Sequence, residues 1–158
     1  MEKMKKILIA VDDTKATREI FSKCTKICKC MAPEAIILLY VEKFEGRSFM
    51  TDLLGDAELG TLQEVLEGTE YKDALDKKAE TILGYYKNAL EQNSPVPNVQ
   101  TMVKGGHPAE LIVETAAEED VSMILIGSIG KRSGARLLIG SVSREVVNNA
   151  DRPVLVVK

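Results

Sequence analysis

"VSMILIGSIGKRSGARLLIGSVS", residues 121–143, decides how the rest of the chain is read. It opens on "VSMILI", an apolar run of the kind that reads as a strand covered on both faces. At Gly127 the run gives way to a segment with four glycines, Gly127, Gly130, Gly134 and Gly140, and three cations, Lys131, Arg132 and Arg136. A plain connection needs fewer glycines. At Gly127 the missing side chain lets a ligand approach the main chain. Gly130 is free to adopt the positive φ that turns amides toward an anion. Gly140-Ser141-Val142 then opens a helix whose first amides lack intrahelical partners and whose dipole favours negative charge. Ser141 adds a hydroxyl. Glycines and cations alone leave two readings even: a phosphate pocket, or a solvated loop leading into a capped helix.

Outward from this stretch, apolar runs of strand length recur at 7–11 (ILIAV), 35–41 (AIILLYV), 99–103 (VQTMV), 121–126 and 153–157 (PVLVV). Helical patterns lie between them. After Thr14, a suitable N-cap, the residues Ala16, Ile20, Phe21, Cys24, Ile27, Cys28 and Met31 recur at three-and-four spacing, and Pro33 marks the far end. A second helix is expected over Tyr71 to about Gln92, with Ala74, Leu75, Ala79, Ile82, Leu83, Tyr86 and Leu90 inward. A third begins near Pro108 and carries Leu111, Ile112 and Ala116; the last runs from Ser141 to about Asn149. Strands alternating with helices predict an α/β fold, an open parallel sheet with helices on both faces. No repeat or linker divides residues 1–158, so one domain is expected. The segment 42–69 is too long for a simple connection. It reads as a variable surface excursion, with a lid or partner surface as the sharper alternative and one or two short acidic helices within it.

Composition excludes several classes. A net charge of −3 argues against broad nucleic-acid binding, which needs a basic face. Trp is absent and aromatics are few, so there is no stacking platform for single strands. The apolar run after "MEKMKK" is too short for a signal-peptide core or a membrane span, and no later run approaches twenty residues. A cytoplasmic protein is expected. Cys24, Cys28 and Cys30 crowd into one helix, where a disulfide framework makes little sense. Two familiar phosphate motifs are missing. There is no G-x-x-x-x-G-K-[ST], and no G-x-G-x-x-G follows the first strand, which ends "VDDT".

Gly127, Gly130, nine residues, then Gly140-Ser141 match G-x2-G-x9-G-[ST], and the chain thereby resembles the ATP-binding class of the universal stress protein family. "KKILIAVDDT", "AIILLYV", "GGHPAELIVETAAEEDVSMILIGSIG" and "LLIGSVSREVVNNADRPVLVVK" resemble successive parts of that family; residues 43–98 align loosely. The resemblance implies a five-stranded sheet in order 3-2-1-4-5, Rossmann-like and akin to the adenine nucleotide alpha hydrolases. The nucleotide would lie in the crevice between the first and fourth strands. It implies that Ala10, Val11 and Asp12 flank the adenosine and that Val41 offers backbone to adenine. Gly127, Ser128, Ile129 and Gly130 would wrap ribose and phosphates, continuing through Lys131, Arg132 and Ser133. Gly140, Ser141, Val142 and Ser143 would hold the phosphates. The cofactors implied are ATP, or ADP or AMP, with Mg²⁺ or Mn²⁺. Asp12 has two readings of equal weight, a ligand to that ion or a helix N-terminal carboxylate stabilising by roughly 0.3–1 kcal/mol. Two departures from the family pattern stand out: Ile129 where His is frequent, and Gly134 one place late.

Other residues tempt more than they inform. His107, the single histidine, has no nucleophile or carboxylate partner at catalytic spacing and reads as a loop and cap residue. Cys24 and Cys28, four apart on the apolar helix face, read as small core residues and Cys30, well off that face, as an exposed thiol; with the single histidine elsewhere in the chain a four-ligand zinc site is improbable. Glu114 and Glu118 read as solvent-facing charges, and "EED" at 118–120 as a solvated turn. The apolar strand 153–157 at a sheet edge invites pairing with a second copy, and the family resemblance implies this homodimer too. The leading expectation is a nucleotide-dependent regulatory switch in stress response, with an unknown protein partner. No residue is placed as the base activating water, so no catalytic residue is assigned and at most slow ATP hydrolysis is expected. The rivals are an adenylyl- or phosphoryl-transferring enzyme on a related scaffold, and an interaction protein with a vestigial site.

Overall fold

The computed structural model describes residues 5–42, 58, 61, 64–65, 67–93, 98–128 and 139–158. Five parallel strands form one sheet: β1 (Lys6–Val11), β2 (Ala35–Glu42), β3 (Val99–Gly105), β4 (Met123–Gly127) and β5 (Val154–Val157). Among the described residues these helices alternate with them: α1 (Lys15–Met31), α2 (Glu70–Asn93), α3 (Pro108–Glu118) and α4 (Ser141–Asn149). The strand order is β3-β2-β1-β4-β5, the order implied by the family resemblance. The fourth strand starts at Met123 rather than Val121, because Val121 and Ser122 lead in from the turn at Glu119–Asp120 and the chain bends at Ser122.

The continuous apolar strands are explained by layers on both faces. Ile36, Ile37, Leu38 and Leu39 of β2 are all fully buried, although successive side chains point to opposite sides of the sheet. On one face Ile7, Ile9, Ile36 and Leu38 pack against Phe21, Cys24 and Cys28 of α1 and Leu83, Tyr86 and Leu90 of α2. On the other, Leu8, Ile37, Leu39 and Ile124 meet Ala109, Ile112 and Ala116 of α3 and Val146 of α4. Within the expected apolar face of α2, Ala74 is exposed, a correction: it lies in the opening turns of the helix, ahead of the core contacts that begin at Ala79.

Helix boundaries follow local chemistry. Thr14 caps α1 by accepting the Thr17 amide at 3.2 Å. Ala32 closes the helix in the left-handed conformation (φ 45°), its amide reaching Cys28 O, and Pro33 follows. Arg152 fixes where β4 begins: its Nη1 donates to Ala116 O at 2.7 Å and Val121 O at 2.9 Å, tying the end of α3 to the strand entrance. Of the excursion at 42–69, Glu58, Thr61, Glu64 and Val65 are helical and exposed, and most of the segment lies outside the described residues. No described helix is long and apolar enough to cross a membrane.

Candidate nucleotide site

Strand lengths create a notch at the carboxyl edge of the sheet. The β1–β2 register ends at Val11↔Tyr40, yet β2 continues alongside β3 to Glu42↔Gly105. On the other side, β1 leaves β4 at Ala10↔Ile126, while β4 goes on to pair Gly127 with Val157. Ala10 and Val11 thus form the floor between two longer neighbours, where the connections from β1 and β4 leave the sheet on opposite faces. This is the switch point at which open α/β sheets take ligands. Val11 turns its side chain into the core beside α1, so only its main chain is available to the notch. Val41 is half-buried at the other wall.

One lip of the notch is the β1–α1 turn. Asp12 Oδ1 accepts the Thr14 amide at 2.9 Å, the Thr14 hydroxyl at 2.6 Å and the Thr17 hydroxyl at 2.5 Å. The Tyr86 hydroxyl donates to the Asp12 carbonyl at 2.9 Å. Burial, with the Asp12 charge adding to it, raises the Tyr86 pKa above its ordinary value, so that donor stays protonated. Asp13 pairs with Lys78 at 3.0 Å. The carboxylate of Asp12 therefore serves the helix start through Oδ1, and among the described residues nothing donates to Oδ2. Among the described residues no three His, Cys, Asp or Glu side chains gather to hold a metal ion. An ion at this lip would need most of its ligands from elsewhere.

The other lip is the β4–α4 connection. Ser128 continues β4, its amide reaching Val157 O at 2.8 Å. The Gly140 amide donates to Ser128 O at 2.7 Å, and the buried Ser143 hydroxyl donates to Gly127 O at 2.5 Å. These bonds stitch the two ends of the glycine-rich segment together across the residues between them. They also narrow the expected phosphate donors, since the Gly140 amide and the Ser143 hydroxyl are already spent. Among the described residues nothing accepts from the main-chain amides of Ser141, Val142 and Ser143, because the first intrahelical bond is Arg144 N–H to Gly140 O and Gly140 carries no capping side chain. Ser141 is exposed at the same end. Ile129, Gly130, Lys131, Arg132 and Ser133 lie outside the described residues, as do Gly134 and Arg136.

His107 sits at the N-cap of α3 but its side chain makes no capping bond, and Gly106 before it takes a positive φ of 146°. Cys24 and Cys28 are buried and Cys30 is exposed. Glu114 and Glu118 are exposed, and Glu118 pairs with Lys104 at 2.7 Å. Two residues at this edge went unnoticed in the sequence. Tyr86 is one; it reads only as a core position of a helix. Glu42 is the other, a buried carboxylate at the end of β2 that meets Lys72 at 3.2 Å while Lys72 also meets Asp76 at 2.6 Å. The hydrogen bond to Asp76 holds the Lys72 ammonium above its ordinary pKa. The available signal was an acid directly after an unbroken apolar strand.

Comparison with known proteins agrees with this arrangement. The model of the universal stress protein family matches residues 3–158. The universal stress protein MJ0577 of Methanocaldococcus jannaschii is 36% identical over 157 residues, covering 98% of this chain and 94% of that one. The solved structure of MJ0577 superposes with a TM-score of 0.73 and 28% identity over 99% of this chain and 97% of its own. The crystal structure of hypothetical protein PH0823 gives 0.72 and 29%, over 98% and 96%. Two more distant structures share the fold. One is a universal stress protein in complex with cAMP, at TM-score 0.64 and 15% identity over 98% of this chain and 97% of that one. The other, from Archaeoglobus fulgidus, is in complex with dAMP, at 0.57 and 18% over 99% and 100%.

Proposed function

Since the chain belongs to the universal stress protein family, we propose that it binds an adenine nucleotide, ATP foremost, and acts in the cytoplasm as a nucleotide-dependent regulatory switch in stress response. One observation carries this reading. The Gly140–Ser128 hydrogen bond closes the glycine-rich segment on itself beside three unspent helix amides at the sheet's switch point. Such amides, with the positive end of the α4 dipole, are what a phosphate chain seeks. Complexes of the same fold with cAMP and dAMP support an adenine nucleotide as the ligand.

Phosphates would meet the amides of Ser141, Val142 and Ser143 and the Ser141 hydroxyl. The adenosine would lie over Ala10 and the main chain of Val11, toward the backbone of Val41. Gly127 and Ser128 would border the ribose, and residues 129–133 would complete the enclosure. A Mg²⁺ or Mn²⁺ ion fits here only as the nucleotide's companion, with Asp12 Oδ2 as the protein ligand, and when bound it would offset phosphate charge. No described side chain is placed to activate water, so at most slow hydrolysis is expected and the bound state would be the signal. A homodimer would form through the free edge of β5, whose other edge is paired to β4.

Mass spectrometry of nucleotide released from the purified, denatured protein tests the reading directly. Co-purified ATP, ADP or AMP, or micromolar affinity for a non-hydrolysable ATP analogue, is the expected result. Protein that emerges empty and takes up no analogue overturns nucleotide binding. Rapid multiple turnover of labelled ATP overturns the switch.

A further inference from the structure

We propose that an open groove between α1 and α2, on the sheet face opposite α3 and α4, docks an acidic amphipathic helix of a partner protein. The groove encloses about 380 Å³. Three cations line it, Arg18, Lys26 and Lys29, and no acid does, in a chain whose net charge is −3. α1 as a whole carries five cations against one acid. That acid, Glu19, faces Lys15 at 3.6 Å, and Glu91 near the end of α2 faces Lys87 at 4.0 Å. The Lys23 ammonium meets the carbonyl of Lys158. Lys26 and Lys29 form no ion pair with any described residue. Because salt screens charges beyond about 8–10 Å, this local cluster and not the overall negative charge sets what approaches.

The groove also has an apolar wall. Tyr85 is 56% exposed and stands edge-on to Tyr86 with ring centroids 5.2 Å apart; Tyr86 in turn packs on Phe21 at 4.4 Å. A half-exposed aromatic braced by a buried pair, beside Ala89 and flanked by unpaired lysines, suits a partner that alternates carboxylates with aliphatic side chains. Arg18 and Lys29 lie on one face of α1, eleven residues and so roughly 16 Å apart, about three turns of a helix laid along the channel between two others. At one end, Arg18 Nη2 donates to the Asp13 carbonyl at 2.9 Å, which preorganises its guanidinium beside the β1–α1 turn.

The test is fluorescence anisotropy with a labelled, stapled helical peptide of about three turns, glutamates toward both ends and leucines between. Binding that weakens at least about tenfold in Arg18→Glu/Lys26→Glu/Lys29→Glu, and several-fold in Tyr85→Ser, is expected. Lys77→Glu, on exposed α2 surface outside the groove, should bind the peptide as the parent does. Lys26→Glu/Lys29→Glu, which leaves the β1–α1 turn untouched, should weaken the peptide several-fold and keep the parent affinity for an ATP analogue, which separates failure of this site from failure of the nucleotide reading. Three results overturn the proposal: no binding of the peptide at millimolar concentration, equal binding by the triple variant, or equal affinity for the glutamine version of the peptide. Assembly of the unmutated protein beyond a dimer that the triple variant abolishes would overturn it as well, by assigning the groove to a second copy of the chain.

Discussion

The two lips of the notch leave the same sheet edge and meet the same requirement, a helix start whose amides need partners, in opposite ways. At the β1–α1 turn the chain answers itself. Thr14 caps α1, and Asp12 is held by the Thr14 amide and two threonine hydroxyls. At the β4–α4 connection the cap position is Gly140, which has no side chain to offer, and no described residue accepts from the amides of Ser141, Val142 and Ser143. With glycine at the cap position the loss relative to a side-chain cap is only a few tenths of a kcal/mol. A chain that caps one helix well and leaves its neighbour bare places its unsatisfied donors where an anion can use them.

The sharpest way to break this comparison is to fill the open lip. Gly140 has φ −60° and ψ 159°, a conformation any residue adopts, so Gly140→Val should still fold, at a cost of about 1 kcal/mol for the poorer cap. Its side chain would crowd the phosphates, and ATP affinity measured by calorimetry should fall by more than about a thousandfold, about 4 kcal/mol. Unaltered affinity would mean that the phosphates lie elsewhere. The second test loads α1, the helix behind the closed lip. Burial pushes the thiols of Cys24 and Cys28 up from 9.0 to about 11 and about 12. The folded protein keeps these protons while the unfolded chain releases them. Stability is therefore full below pH 9 and falls as pH rises toward 11, by up to roughly 1.4 kcal/mol per unit for each thiol. Urea unfolding at pH 8 and pH 10 should register a loss of about 2–3 kcal/mol. A Cys24→Ala/Cys28→Ala protein, weaker at pH 8, should show a flatter dependence.

Two smaller substitutions sharpen the contrast. Thr17→Val removes a hydroxyl that holds Asp12 and should cost about 1–2 kcal/mol of stability with little change in nucleotide affinity. A large loss of affinity would instead assign Asp12 to the ligand or its metal ion. Ser143→Ala cuts the stitch to Gly127 and should cost about 1 kcal/mol, a fall of roughly 2–4 °C in melting temperature. Here affinity should fall about fivefold, because the glycine-rich segment loses one of its two anchors.

Much of this molecule is legible in residue order because its signals are local. Strands buried on both faces announce themselves as unbroken apolar runs, and α4 was placed from Ser141 to Asn149 by the glycine that precedes it. Ala74 shows the limit of periodicity, which gives the facing of a residue but not where the neighbouring layer begins. Glu42 and Tyr86 show another. A buried carboxylate and a core tyrosine acquire roles only when Lys72 and the Asp12 carbonyl, distant in sequence, arrive beside them. The cationic groove was equally hidden, since its lining is divided between two helices separated by a strand.

By itself the sequence determined the α/β alternation, the strand identities and a glycine spacing that resembles one family, all of which are written in short stretches of contiguous chain. Tertiary structure decided which donors of that motif are still available. The Gly140 amide and the Ser143 hydroxyl are consumed by Ser128 and Gly127, at least a dozen residues away in the chain. A hydrogen-bond donor serves one strong acceptor at a time, and which acceptor it meets depends on chain segments that only folding brings together.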